Sequence, residues 1–380
     1  MNRHLISGIY IHVPFCLKKC PYCNFYSEPL QKCKAKNYAS YILKELALLK
    51  NFSWQNPTLY FGGGTPSLMS VSFFERVITR IESFTEATIE ANPATFDLDF
   101  LKEIKLMGIN RISLGIQTLQ PQLLKVLQRP YSSKKALLAL EWACKIFENV
   151  STDIMIAIPG QQIKDLQEDL ETLLSFPLKH ISAYLLTFYP NTPFYEQFQK
   201  GYFRPLPEGQ QKEMYFFVHE TLCRAGFIHY EISSFAKPGH LCQHNIGYWK
   251  LKNYLGLGPG AVSFYDGIYH KNVENLNQYF AFLKDNKQPL IKKERLPQDE
   301  LLGLKIAMGL RMLRGINLKN LGLIDKWNSL SQTIYWREML AKGFLKYDPP
   351  WLRLGTKGLF IADFLTQEVI NYLVYAQIDS

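Results

Sequence analysis

Apolar positions along the first three-quarters of the chain follow two rhythms. Short runs rich in β-branched and aromatic residues, at Gly8–Val13, Thr58–Phe61, Ala87–Ala91, Arg111–Gly115, Thr152–Ile158 and Ile181–Thr187, read as strands. Between them, apolar residues three and four apart predict helices over Asn37–Lys50, Phe73–Ile81, Leu98–Met107, Lys134–Phe147 and Asp165–Leu174. A further helix, Glu208–Arg224, stops before Gly226, as a glycine just past a helix end favours. Strands alternating with helices point to βαβ units and a parallel sheet, hence an α/β fold with a complete or partial TIM-type barrel. In such folds the chemistry sits at the C-terminal ends of the strands.

The rhythm changes after about Phe264. Helices are expected at Leu276–Lys284, Gln298–Leu313 and Ser331–Lys342, followed by a hairpin of Gly343–Tyr347 and Trp351–Leu354 around Asp348-Pro349-Pro350. Helices, a small hairpin and a last helix suggest a winged-helix-like α+β part. The expected division is therefore a barrel domain of residues 1–264 and a C-terminal domain of 265–380.

Composition narrows the class. With 47% hydrophobic and 20% charged residues, the 380-residue chain is ordinary globular protein, and no run of eighteen apolar residues suggests a membrane span. The first ten residues leave no room for a removable leader before the cysteines that follow, so the expected location is the cytoplasm. The net charge of +10 could serve nucleic acid or an anionic small molecule. The basic residues are scattered rather than massed, and a nucleic-acid partner is not expected.

Three of the seven cysteines, Cys16, Cys20 and Cys23, form C-x3-C-x2-C. Thiolates favour iron–sulfur clusters, zinc or copper. Structural zinc and electron-transfer clusters usually take four ligands, and no second pair lies nearby in sequence. Three thiolates on a [4Fe–4S] cluster leave one iron open, as an organometallic catalyst requires; zinc, or three structural cysteines, is the alternative. Gly62-Gly63-Gly64-Thr65-Pro66, placed at a strand end, lets backbone approach a ligand closely, although alone it would suit a plain tight turn.

The spacing of the three cysteines, with Tyr22 before the last, resembles the signature of radical S-adenosylmethionine (SAM) proteins. Over almost the whole chain, "YIHVPFC", "FGGGTPS", "EANP", "NRISLGIQ", "LQRPYS", "YEISSFAKPG" and "HNIGYW" resemble the HemN/HemW family of oxygen-independent coproporphyrinogen III dehydrogenases and heme chaperones. The resemblance implies a partial (β/α)6 barrel of the radical SAM class with a HemN-type C-terminal domain. It implies a cluster on Cys16, Cys20 and Cys23, and SAM against Tyr10, Gly64 and Glu90. A second SAM, known for the dehydrogenase side, would meet Tyr22, Thr65, Gln117, Arg129 and Asp153. The H-N-x-x-Y-W motif would bring heme to His244, Asn245, Tyr248 and Trp249.

Phe25 stands where the dehydrogenase has a further cysteine, and only fifteen residues precede Cys16. Both features favour the chaperone side, which implies transfer of heme to an acceptor protein. If the cluster is reduced, an electron donor such as a flavodoxin or ferredoxin is implied. The alternative is radical decarboxylation of a porphyrinogen propionate. Asn24 replaces the usual Asp, Gln243 replaces the usual Arg before the motif His, and Cys242 offers a thiolate as another heme ligand.

Overall fold

The computed structural model describes residues 3–375. Six strands follow one another around the centre: β1 (His4–Val13), β2 (Phe52–Gly63), β3 (Glu86–Ala91), β4 (Arg111–Gln117), β5 (Asn149–Ile156) and β6 (His180–Leu185). Each is parallel to the next. Helices α1 (Lys32–Leu48), α2 (Val71–Ile81), α3 (Leu98–Leu106), α4 (Ser133–Ile146) and α5 (Ile163–Leu174) make the crossovers, and α6 (Glu208–Arg224) follows β6. This is the expected α/β architecture, a partial (β/α)6 barrel.

Alternation along the strands builds two different faces. Ile9, Ile11 and Val13 of β1, Ile112, Leu114 and Ile116 of β4, and Val150, Ile154 and Ile156 of β5 join the buried apolar core. They meet helix faces of matching period, such as Tyr38, Ile42 and Leu46 of α1 and Leu166, Leu170 and Leu173 of α5. The intervening residues are mostly polar: Glu86, Thr88 and Glu90 on β3, Arg111 and Ser113 on β4, Ser151 and Asp153 on β5, His180 and Ser182 on β6. The barrel interior is thus a column of polar side chains, which lets it hold ligands as well as pack.

The sheet extends beyond these six strands on both sides. Ser234–Ala236 pairs antiparallel with β6, and Ile228–Glu231 pairs with it in turn. On the other side Tyr254–Leu257 runs parallel to β1. Three antiparallel strands then follow, Val262–Tyr265, Ile268–Asn272 and Leu290–Arg295, giving twelve strands in all. The sheet therefore runs through residue 264 and ends at Arg295. Gln298–Arg311 opens the helical part, which carries a three-stranded sheet of Ile316–Asn317, Trp351–Leu354 and Leu345–Asp348 and ends in the helix Ala362–Ile370. Trp327 and Trp336, fully buried and edge-to-face, form its centre. None of the described helices is long and apolar enough to cross a membrane.

Candidate functional site

β1 ends at Val13 and hands the chain directly to the cysteine loop. A two-residue parallel pairing of Phe15–Cys16 with Glu28–Pro29 closes that loop at its base. His12 Nε2 bonds the Tyr26 carbonyl at 2.9 Å and fastens the returning strand of the loop to β1. Cys16, Cys20 and Cys23 are free, half-buried thiols on this loop. Burial, then the neighbouring Cys20 and Cys16, push the Cys23 thiol up, against a backbone hydrogen bond at Phe25.

Polar groups from the segments that follow β2 and β4 are aimed at two of the sulfurs. The Thr65 hydroxyl donates to Cys16 Sγ at 3.6 Å, and Arg129 Nη1 donates to Cys20 Sγ at 3.3 Å. Among the described residues no three His, Cys, Asp or Glu side chains stand in finished metal geometry. The donor set nevertheless fits a [4Fe–4S] cluster: three soft thiols on one loop, with an O–H and an N–H donor directed at two of their sulfurs.

The glycine run lies beside this loop because little else fits there. A Cβ on Gly64 would come within 2.7 Å of the Phe15 carbonyl oxygen and 2.8 Å of that of Val13. Gly64 instead donates its N–H to Val13 O at 2.7 Å. Gly63 has φ +108°, a left-handed conformation that suits glycine, and its N–H donates to Glu90 Oε2 at 3.1 Å. Burial is the main force lifting the Glu90 carboxyl to about 7; the Tyr60 hydrogen bond opposes it and Asp153 adds to it. Tyr10 bonds His12 Nδ1 at 3.0 Å and stacks beside Tyr60, its neighbour on β2. Tyr10, Gly64 and Glu90 are thus brought together at the C-terminal mouth of the barrel.

The second predicted set is gathered at the same mouth. Arg129 spreads its guanidinium over the Tyr131 hydroxyl at 3.0 Å, the Tyr22 hydroxyl at 3.2 Å and the Gly115 carbonyl at 2.8 Å. Gln117 ends β4 with φ +67°, a conformation uncommon outside glycine and found where function over-determines the backbone. Asp153 accepts from Ser113 Oγ at 3.3 Å, and burial raises its carboxyl.

The H-N-x-x-Y-W motif lies elsewhere. It forms a short helix, α7 (Gln243–Trp249), that packs against β1 and β2 around Gly8, Thr58 and Tyr60, toward the N-terminal mouth. A Cβ on Gly8 would touch the His244 ring at 3.3 Å, which places His244 about five residues, roughly 16 Å, below the cysteine end of β1. His244 is 2% exposed, and both ring nitrogens are engaged: Nδ1 with Thr58 Oγ1 at 2.8 Å, Nε2 with the Tyr248 hydroxyl at 2.7 Å. Burial pulls its pKa down to about 3, helped by the Arg111 charge, so the ring is neutral. Asn245 lies half-buried on the same helix, and Trp249 stacks under the Arg311 guanidinium at 4.6 Å. A cavity of about 500 Å³ opens here, lined by Thr58, His244, Gly247, Tyr248, Lys252 and neighbours.

The three departures from the family pattern are placed as follows. Cys242 is fully buried, its thiol donating to Glu86 Oε1 at 3.7 Å, and burial pushes that thiol up to about 12. Gln243 is exposed, donating its backbone N–H to Glu86 and its amide to Leu241 O, so Lys252 is the cation lining this cavity. Asn24 points to solvent beside Cys23. Sequence reasoning missed Tyr60 and Glu86, which connect the motifs. Glu86 caps the first N–H groups of α7, at 3.0 Å to both Gln243 and His244. The signal was the polar period-two face of β2 and β3.

Comparison with known proteins places this geometry. The radical SAM superfamily model matches residues 10–173. The fold and the cysteine loop thus define a radical SAM protein. Heme chaperone HemW of Bacillus subtilis is 33% identical over 324 residues, 83% of this chain and 86% of that protein. HemW of Buchnera aphidicola (subsp. Schizaphis graminum) is 36% identical over 289 residues, covering 71% and 74%. The chain belongs to the HemW family. Among solved structures, the coproporphyrinogen III oxidase HemN of Escherichia coli covers 99% of this chain and 91% of its own with a TM-score of 0.81, at 19% identity, a likeness of fold.

Proposed function

We propose that this protein is a heme chaperone: it binds heme, holds a [4Fe–4S] cluster on Cys16, Cys20 and Cys23 together with SAM, and passes heme to an acceptor protein. The observation that carries the reading is identity of 33–36% over most of the chain to proteins named as heme chaperones. Phe25 in place of a further cysteine supports it. When bound, the cluster supplies an open iron for the amino and carboxylate groups of SAM.

The protein's own part is to shape that site. Gly62–Gly64 bring backbone close, Glu90 and Asp153 offer carboxylates to amino or hydroxyl groups, and Arg129 offers a fork for a carboxylate. Tyr10 belongs to the same site, and Tyr22, Thr65, Gln117, Arg129 and Asp153 to a second SAM position. At the other mouth His244, Asn245, Tyr248 and Trp249 meet heme, with Lys252 as a partner for a propionate. His244 binds iron only after releasing a ring nitrogen from Thr58 or Tyr248. The protein works in the cytoplasm, and a flavodoxin or ferredoxin reduces its cluster. Residues 1–264 carry these sites and 265–380 form the part that supports them.

The test is anaerobic reconstitution, then heme titration and a porphyrinogen assay on one sample. A Soret band that His244→Ala weakens, with no porphyrin product, is expected. Decarboxylation of coproporphyrinogen with SAM and reductant would move the protein to the dehydrogenase side.

A further inference from the structure

Glu90 and His244 serve opposite mouths of the barrel, and one side chain touches both. The hydroxyl of Tyr60 donates to Glu90 Oε1 at 2.8 Å. Its ring stacks on the His244 imidazole, with centroids 5.0 Å apart and planes at 26°. The upper contact is tight: a Cβ on Gly62 would lie 2.9 Å from Tyr60 Cε1 and 3.1 Å from Glu90 Oε1. Glu90 in turn holds the Gly63 N–H. An unbroken path of contacts thus runs from the glycine run through Glu90 and Tyr60 to His244.

The lower end of this path is locked. A neutral imidazole with both nitrogens in hydrogen bonds has no lone pair free for iron. Tyr248 and Thr58 hold the two nitrogens, and the Tyr60 ring covers one face of the ring. Moving Tyr60 would remove that cover and give His244 room to leave its partners. Tyr60 in turn is held at its hydroxyl by Glu90, the group the upper site offers to its ligand.

We propose that Tyr60 couples the two mouths: SAM drawing on Glu90 takes the carboxylate from the Tyr60 hydroxyl, Tyr60 shifts from its stack, and His244 is released toward heme. This inference rests on the heme-chaperone reading and assigns Tyr60 as a positioning residue within it. Linkage requires the effect to be reciprocal, so heme must strengthen SAM binding by the same factor that SAM strengthens heme binding.

The experiment uses cluster-loaded protein under anaerobic conditions. Heme affinity is measured with and without SAM, and SAM affinity with and without heme, for wild type and Tyr60→Phe. In the wild type each ligand tightens the other, by about tenfold within the usual range for coupled sites. Tyr60→Phe keeps the ring and loses the hydroxyl; both ligands still bind and the factor falls toward one. An undiminished factor in Tyr60→Phe, or a factor of one in the wild type, overturns the coupling. Failure of wild-type protein to bind heme at all sinks the chaperone reading instead. In that event amide exchange of residues 243–249 decides the coupling: SAM speeds it in wild type and leaves it unchanged in Tyr60→Phe, and equal responses overturn it.

Discussion

Arg129 Nη1 lies 3.3 Å from the sulfur of Cys20, so a fixed positive charge from the loop segment after β4 sits directly on the proposed cluster. Net charge and hydrogen bonds to sulfur set the potential of such a centre. Arg129→Gln removes the charge and should shift the cluster to a more negative potential in an anaerobic redox titration. Arg129→Lys keeps the charge but loses the fork that also holds Tyr22 and Gly115, and should shift it less. Equal potentials in all three proteins would dismiss the electrostatic role.

Gly64→Ala drives a methyl group into two backbone carbonyls that cannot step aside. The expected cost is about 1–3 kcal/mol of stability, with loss of SAM binding in equilibrium dialysis. Gly209, at the start of α6 with nothing within 4 Å of an added Cβ, is the control. Gly209→Ala should leave dialysis unchanged and stabilise by up to about 1 kcal/mol.

Glu86 accepts from the first N–H groups of α7 in the barrel interior, where the buried Arg111 charge lies beside it. Glu86→Ala strips that cap, leaves the buried N–H groups of Gln243 and His244 without their acceptor and removes one of the carboxylates near Arg111. A loss of about 1–3 kcal/mol is expected, read as a lower denaturation midpoint, together with faster exchange of the residue 243–249 amides. Glu86→Gln keeps an acceptor and should lose less. A midpoint unmoved by either substitution would show that α7 is held by other contacts.

Glu45, 3% exposed, accepts from Tyr279, Asn272 and Gly258, yet burial lifts its carboxyl to about 7. The folded chain therefore keeps a proton that the unfolded chain releases above its ordinary value of 4.5. Stability from this group is full below about 4.5 and is lost as pH rises toward 7. The total is on the order of 3 kcal/mol. Glu45→Gln should flatten the stability curve across that window. A variant curve as steep as the wild type would assign the slope to other groups.

The barrel was legible because its strands carry apolar residues on one face and its helices repeat at three and four, so both periods stand out, as in Ile9–Ile11–Val13 against Tyr38–Ile42–Leu46. The outer strands were not. Ile268–Asn272 and Leu290–Arg295 are short, half-polar and set by pairing with each other, which leaves no local rhythm. Their pairing is why the sheet does not stop at residue 264. The cysteine loop was legible from spacing alone, because three thiols within eight residues need no tertiary folding to be neighbours. His244 was legible as a motif but not as a sealed imidazole, since Thr58 lies 186 residues away in sequence.

The cysteine loop and α7 occupy opposite openings of one barrel, and this separates two hazards. Sulfide-bridged iron is destroyed by oxidants, whereas handing over a porphyrin demands an exposed doorway. On the proposed reading, heme seated against α7 lies below β1 and the cluster above it, so an acceptor can approach the cargo from the side away from the metal.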